Sequence, residues 1–218
     1  MIEAILPGTV AAVETSDDPP GAVLYPEEEP FVARAVDKRR REFTAGRWCA
    51  RQALVRLGRP AVPIPSSPDR QPQWPPGVVG SITHCAGYRA AALAHDRDLH
   101  TIGIDAEPHG ALPDGVLRAV ALPDEQDRLA RLSADEPGVH WDRLLFSAKE
   151  SVFKAWYPLA RRWLGFEDAD LVLDPASDRF TARILIPGPD VAGQPLRGFD
   201  GRWLVRDGLV VTAVTLPR

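Results

Sequence analysis

Apolar residues at Ala50, Ala53, Leu54 and Leu57 recur at helical spacing and stop at Gly58. The spacing predicts a helix opening near Thr44 as its N-cap. Ahead of it, Pro26-Glu27-Glu28-Glu29-Pro30 sets acids in a first turn, which suits a helix dipole. That pattern predicts a separate helical stretch carrying Lys38-Arg39-Arg40-Arg41. The Pro-rich segment 60–76 reads as a loop. Short apolar runs at 78–83, 88–94 and 101–107 read as strands. After a variable loop, Leu145, Ala148, Val152, Ala155, Trp156 and Leu159 form one stripe. They predict a long helix over about 141–163, bent or ended near Pro158. Phe180, Ala182, Ile184 and Ile186 alternate as in a half-buried strand. Asp207-Gly208, between 203–206 and 209–216, marks a hairpin. Each half reads as a helix followed by strands, with a seam near residue 104.

Composition narrows the classes. At 218 residues the chain suits one ordinary domain or two small lobes sharing a core. A net charge of -4 excludes a protein that coats nucleic acid through bulk positive charge. No apolar run approaches the roughly 18 residues of a membrane span. Met1-Ile-Glu-Ala shows no secretory signal, so a cytoplasmic location is expected. Cys49 and Cys85 are too few for a disulfide framework and lack metal-ligand spacing. Of 26 basic residues, Lys38, Lys149 and Lys154 are lysine and the rest arginine.

Four segments carry candidate chemistry. In Ile102-Gly103-Ile104-Asp105-Ala106-Glu107-Pro108, Asp105 and Glu107 lie two apart and share a strand face. Two hard oxygen donors there suit Mg²⁺, although a pair of solvated acids has the same spacing. In Phe146-Ser147-Ala148-Lys149-Glu150, continued to Trp156, Glu150 and Lys154 stand at i,i+4. Phe146, Phe153 and Tyr157 share their side, so this helix is apolar on two sides and lines a cleft or is buried. Two of the chain's three lysines fall here. Gly80-Ser81-Ile82-Thr83-His84-Cys85 combines small residues with a histidine able to bond an anion. A cysteine-nucleophile reading of His84-Cys85 finds no orienting acid. The basic run 38–41, with Arg47 and Arg51, reads either as a solvated face or, at Arg47, as an anion site.

Together these segments resemble the Sfp-type 4'-phosphopantetheinyl transferases, in their actinobacterial form. The match takes in Lys38-Arg39-Arg40, Arg47-Trp48-Cys49-Ala50-Arg51, Trp74-Pro75, Gly80 to Tyr88, Gly103 to Pro108, Phe146 to Trp156 and Arg162 to Ala169. The order is the family's, over about residues 25–215. The resemblance implies a pseudo-twofold α/β (α+β) fold with lobes 1–104 and 105–218 and the active site at their seam. It implies CoA as co-substrate and Mg²⁺ bound by Asp105, Glu107 and Glu150. Glu150 also matches the acid that activates the acceptor serine. Lys149 and Lys154 match catalytic lysines near the phosphates, and Arg39, Arg47 and His84 match the site of the CoA 3'-phosphate. The family's loop lysine ahead of Trp74 is missing; Ser66-Ser67 stands there, and Arg70 is the candidate substitute.

The implied reaction is attack by a carrier-protein serine on the β-phosphate of CoA, releasing adenosine 3',5'-bisphosphate. Acceptors would be acyl and peptidyl carrier proteins of polyketide, fatty-acid and nonribosomal peptide synthases, and the enzyme would be a monomer. Two other classes share the residues: a non-catalytic CoA or carrier-binding module, and a Mg²⁺-dependent phosphohydrolase.

Overall fold

The structure is a computed structural model describing residues 1–218. After a short 3-10 turn comes β1 (Ala11–Thr15), then α1 (Asp37–Arg56), β2 (Val78–Cys85), β3 (Tyr88–His95) and β4 (Leu99–Pro108). The second half holds α2 (Val116–Val120), α3 (Pro123–Asp135), α4 (Trp141–Ala160), β5 (Ala169–Asp174) and β6 (Arg179–Ile184). A two-residue pair, β7 (Asp190–Val191) and β8 (Gln194–Pro195), precedes β9 (Gly198–Arg206) and β10 (Leu209–Pro217). The strands form antiparallel sheets of order β1-β3-β2 and β4-β10-β9-β6-β5. A helix-on-sheet unit thus occurs twice: α1 packs on β3 and β1, and α4 on β4 and β10. This is the expected α/β architecture.

Alternation along the strands builds three cores. Ala91 and Leu93 of β3 face Cys49, Ala50, Ala53 and Leu54 of α1. Ala90, Ala92 and Ala94 face the other way, toward Ile102, Ile104, Ala106, Val211 and Ala213 in the seam between the sheets. The predicted stripe on α4 is the largest core: Leu145, Ala148, Val152, Ala155 and Trp156 bury against Phe180, Trp203, Val210 and Val214. Small alanines on β3 let the two sheets approach closely.

Strand β4 is the structural pivot. Ile102, Ile104 and Ala106 fill the seam core, while Gly103 faces α4. A Cβ on Gly103 would stand 1.9 Å from the Ser151 carbonyl oxygen, so only glycine permits this approach. Thr101 Oγ1 donates to the Ala155 carbonyl at 2.9 Å and ties the same two elements. The hairpin at Asp207-Gly208 is confirmed, with both residues at positive φ (51° and 73°), as a tight two-residue turn requires.

Several expectations are corrected. The two helices drawn around residues 26–58 are a single one, α1. Thr44 is not a cap but lies mid-helix, its hydroxyl donating to the Arg40 carbonyl at 2.8 Å. Residues 26–36 are turns with a short 3-10 segment, because Glu28 is drawn inward to pair with Arg51 instead of serving a helix start. The loop expected between β4 and the long helix contains α2 and α3. Helix α4 ends at Ala160, with Pro158 in its final turn, where the missing N–H removes one i→i−4 bond, to the Lys154 carbonyl, two residues before the end. Strand β1 was not anticipated.

Candidate active site

Asp105, Glu107, Glu150 and Lys154 come together where β4 meets α4. Asp105 is buried, and each oxygen is occupied. Lys154 Nζ donates to Oδ1 at 2.7 Å, Ser147 Oγ to Oδ2 at 2.8 Å, and Thr83 Oγ1 to Oδ1 at 3.3 Å. Lys154 also donates to the Ile104 carbonyl at 3.1 Å. It therefore bridges to β4, and no ion pair closes with Glu150 one turn away. Glu107 shares the Asp105 face as expected, and its Oε2 accepts from Arg143 Nη1 at 2.9 Å.

Glu150 is half-buried and receives no hydrogen bond from the protein. Burial, reinforced by the charges of Asp105 and Glu107 and opposed by Lys154, holds its carboxyl above the usual range. Burial and Asp105 likewise raise Glu107, with Arg143 pulling the other way. The Asp105 charge thus acts on both Glu107 and Glu150. Their hard oxygens suit a divalent cation. No three acidic, His or Cys side chains close on one point; Lys154 pairs with Asp105 and Arg143 with Glu107.

Ser81 and Thr83, singled out as small residues near a ligand, have a structural duty. Their hydroxyls accept from the β4 amides of Ile104 (3.1 Å) and Ala106 (3.0 Å) and stitch β2 to β4. His84 points to the other face. Its Nε2 accepts from Arg39 Nη1 at 2.6 Å, so the ring proton sits on Nδ1, which faces Glu42 Oε2 at 3.6 Å. Burial and the Arg39 charge hold His84 below the ordinary histidine range.

Arg47 is buried in α1. Its Nε donates to the Ile64 carbonyl at 2.7 Å and Nη2 to Ser66 Oγ at 2.8 Å, with the guanidinium over the Phe43 ring at 4.1 Å. Burial lowers it to about 10. Ser66 thus positions Arg47. Behind this contact, Glu28 accepts from Arg51 at 2.8 Å and from the Ile64 amide at 2.8 Å. Trp74 Nε1 donates to the Gly80 carbonyl at 3.1 Å and anchors the loop's other end.

These pieces surround a cleft of about 1480 Å³ between α1, the 66–74 loop, β2 and α4. Arg39, Arg47, Arg70 and His84 line one part and Lys154 another. Arg161 Nη1 reaches across to Gln71 Oε1 at 3.2 Å. A smaller pocket of about 190 Å³ opens beside Glu150, walled by Phe153, Trp163, Leu164 and Phe166.

Lys149 behaves differently from its neighbours. It is buried, and its three N–H donors go to Glu125 Oε2 (2.8 Å), the Phe166 carbonyl (2.7 Å) and the Ala169 carbonyl (2.9 Å). None is left for a phosphate. The sequence reading missed Glu125, Arg143, Ser147 and Thr212. Each gains its role from a partner many residues away; Ser147 and Thr212 hydroxyls lie 3.0 Å apart.

A cleft lined by Arg39, Arg47, Arg70, His84 and Lys154, with Glu150 in the smaller pocket nearby, suits a phosphorylated molecule. Residues 27–94 match a family model described as the 4'-phosphopantetheinyl transferase N-terminal domain, and residues 101–194 match the 4'-phosphopantetheinyl transferase superfamily. The 4'-phosphopantetheinyl transferase Svp of Streptomyces mobaraensis is 55% identical over 99% of this chain and 89% of its own. PptT of Mycobacterium tuberculosis is 48% identical over 99% and 98%, and Npt of Nocardia iowensis 48% over 98% and 99%. The chain belongs to the 4'-phosphopantetheinyl transferase superfamily, enzymes that transfer the phosphopantetheine arm of CoA to carrier proteins.

Proposed function

We propose that Glu150 is the base of this transfer and that Asp105, Glu107 and Glu150 hold a Mg²⁺ ion. The observation carrying this reading is the half-buried Glu150 carboxylate, which faces two like charges and has no hydrogen-bond donor of its own. Held by these acids, a divalent cation would supply positive charge to neutralise the CoA pyrophosphate. Glu150 takes the proton of the carrier serine as its oxygen attacks the β-phosphate. Lys154 stabilises charge developing on the phosphates, and its present bond to Asp105 keeps it at the required place. Arg39, Arg47 and His84 hold the 3'-phosphate end. Arg70 lines the same cleft without an ion-pair partner, which supports it as the substitute for the missing loop lysine. The apolar pocket beside Glu150 suits the pantetheine arm.

Lys149 belongs to this account as a support for α4, since all its donors are taken. The lobes are divided near residue 104, on β4, and both contribute to one cleft, which supports action as a monomer. The acceptors are carrier domains of polyketide, fatty-acid and nonribosomal peptide synthases, and the location is cytoplasmic. No helix is long and apolar enough to cross a membrane. The test is to incubate an apo carrier protein with CoA and Mg²⁺ and to follow adenosine 3',5'-bisphosphate beside holo-carrier. The two should form in equal amounts. Nucleotide release without carrier modification would favour a phosphohydrolase, and neither product a binding module.

A further inference from the structure

Arg143 lies outside every motif that carries the family resemblance, on the first turn of α4. Its three nitrogen atoms are committed at once. Nε donates to the Gly110 carbonyl at 3.0 Å, Nη2 to the Ala111 carbonyl at 2.9 Å, and Nη1 to Glu107 Oε2 at 2.9 Å. Guanidinium is planar and rigid. Two fixed backbone acceptors therefore set its plane before Glu107 is reached, and the carboxylate is aimed by a group that cannot follow it if it swings. The neighbouring Asp142 pins the same segment, accepting from the Leu112 amide at 2.8 Å and from the Arg143 backbone amide at 2.8 Å, without touching Glu107 or the Arg143 guanidinium.

The charges agree with the geometry. Glu107 is partly buried on the strand face it shares with Asp105, and Arg143 is its ion-pair partner from α4, as Lys154 is for Asp105. The pair leaves Glu107 Oε1 uncommitted, since Arg143 uses Oε2 alone.

The geometry points to Arg143 as a positioning residue for the transfer reaction: it fixes the Glu107 carboxylate so that one oxygen is presented to a divalent cation. This rests on the reading of Glu107 as a cation-holding acid. Arg143 acts through Glu107: the three bonds that fix its plane run to Glu107 and to two loop carbonyls. Groups that orient a ligating carboxylate are typically worth about 10–100-fold in metal affinity or activity.

The test is a Mn²⁺ titration of the CoA-saturated protein with no carrier present, read by loss of the free-ion magnetic-resonance signal. The proteins compared are wild type, Arg143→Ala, Arg143→Lys, Glu107→Gln, Asp142→Ala and the Arg143→Ala/Glu107→Gln pair. Arg143→Ala should weaken Mn²⁺ binding about tenfold or more. Arg143→Lys should lie between it and wild type, because an ammonium keeps the charge but not the three-point plane. It also serves if the alanine variant does not fold. Asp142→Ala should bind like wild type, and the double variant no more weakly than Glu107→Gln alone. Wild-type affinity in both Arg143 variants, with Glu107→Gln weakened, would overturn the positioning role and leave the Glu107 reading standing. Wild-type affinity in Glu107→Gln would overturn that reading itself. Equal weakening by Asp142→Ala, or full additivity in the double variant, would assign the effect to loop anchoring and reject the proposal.

Discussion

Lys154 Nζ lies 2.7 Å from Asp105 Oδ1 and reaches across from α4 to β4 instead of pairing along its own helix with Glu150. A helix-surface pair would contribute about 0.2–0.5 kcal/mol and could be removed quietly. A cross-element contact to a buried carboxylate cannot.

Lys154→Ala should lower kcat by one to two orders of magnitude, roughly, with a smaller change in KM for CoA. Lys154→Arg should not restore kcat, because a planar fork does not replace a compact ammonium between Asp105 and the Ile104 carbonyl. Steady-state kinetics with an apo carrier decide this. A KM effect with unchanged kcat would make Lys154 a binding residue.

Lys149 and Glu125 form a buried ion pair, each almost inaccessible to solvent. Removing one partner strands the other, so Lys149→Met should destabilise by about 3–5 kcal/mol, and replacing both by apolar residues should recover only part of that loss, because Glu125 also holds the Leu122 and Leu171 amides. Thermal melts of the three variants check it. A Lys149→Met protein that melts normally but turns over slowly would return Lys149 to the phosphates.

At the other end of the cleft, Arg39→Ala and His84→Ala should raise KM for CoA about tenfold or more, and much less for 3'-dephospho-CoA. Arg47→Ala should do the same and also lower the melting temperature, since Arg47 holds the Ile64 carbonyl and Ser66. Equal losses with both substrates would move these residues away from the 3'-phosphate.

The motif residues were legible because their neighbours lie in their own segments. Asp105 and Glu107 share a face by strand alternation, and the α4 stripe follows from its spacing. The Arg143 contact to Glu107 spans 36 positions, and Lys149 pairs with Glu125 on α3, a helix inside the segment that reads as a variable loop. Segment 26–36 misled for a similar reason: its acids look like a helix start, yet Glu28 answers to Arg51. The continuity of α1 through Thr44 was hidden because a mid-helix threonine and an N-cap look alike without the fold.

Burial raises both Cys49 and Cys85 from 9.0 to about 12. A thiol whose folded value exceeds its unfolded one contributes stability that is whole below the unfolded value and lost as pH rises toward the folded one. Stability should therefore fall between about pH 9 and 12, and Cys49→Ala should shallow that fall. Denaturant melts across this range measure it; an unchanged slope in the variant would exclude Cys49 as a contributor.

The central claim is that Glu150 activates the carrier serine. Intact-mass spectrometry of an apo carrier protein, incubated with CoA and Mg²⁺ and either wild-type enzyme or Glu150→Gln, tests it directly. Wild type should convert the carrier by one phosphopantetheine per serine. Glu150→Gln should be folded but slower by roughly two or more orders of magnitude. Conversion by Glu150→Gln at the wild-type rate would contradict the account.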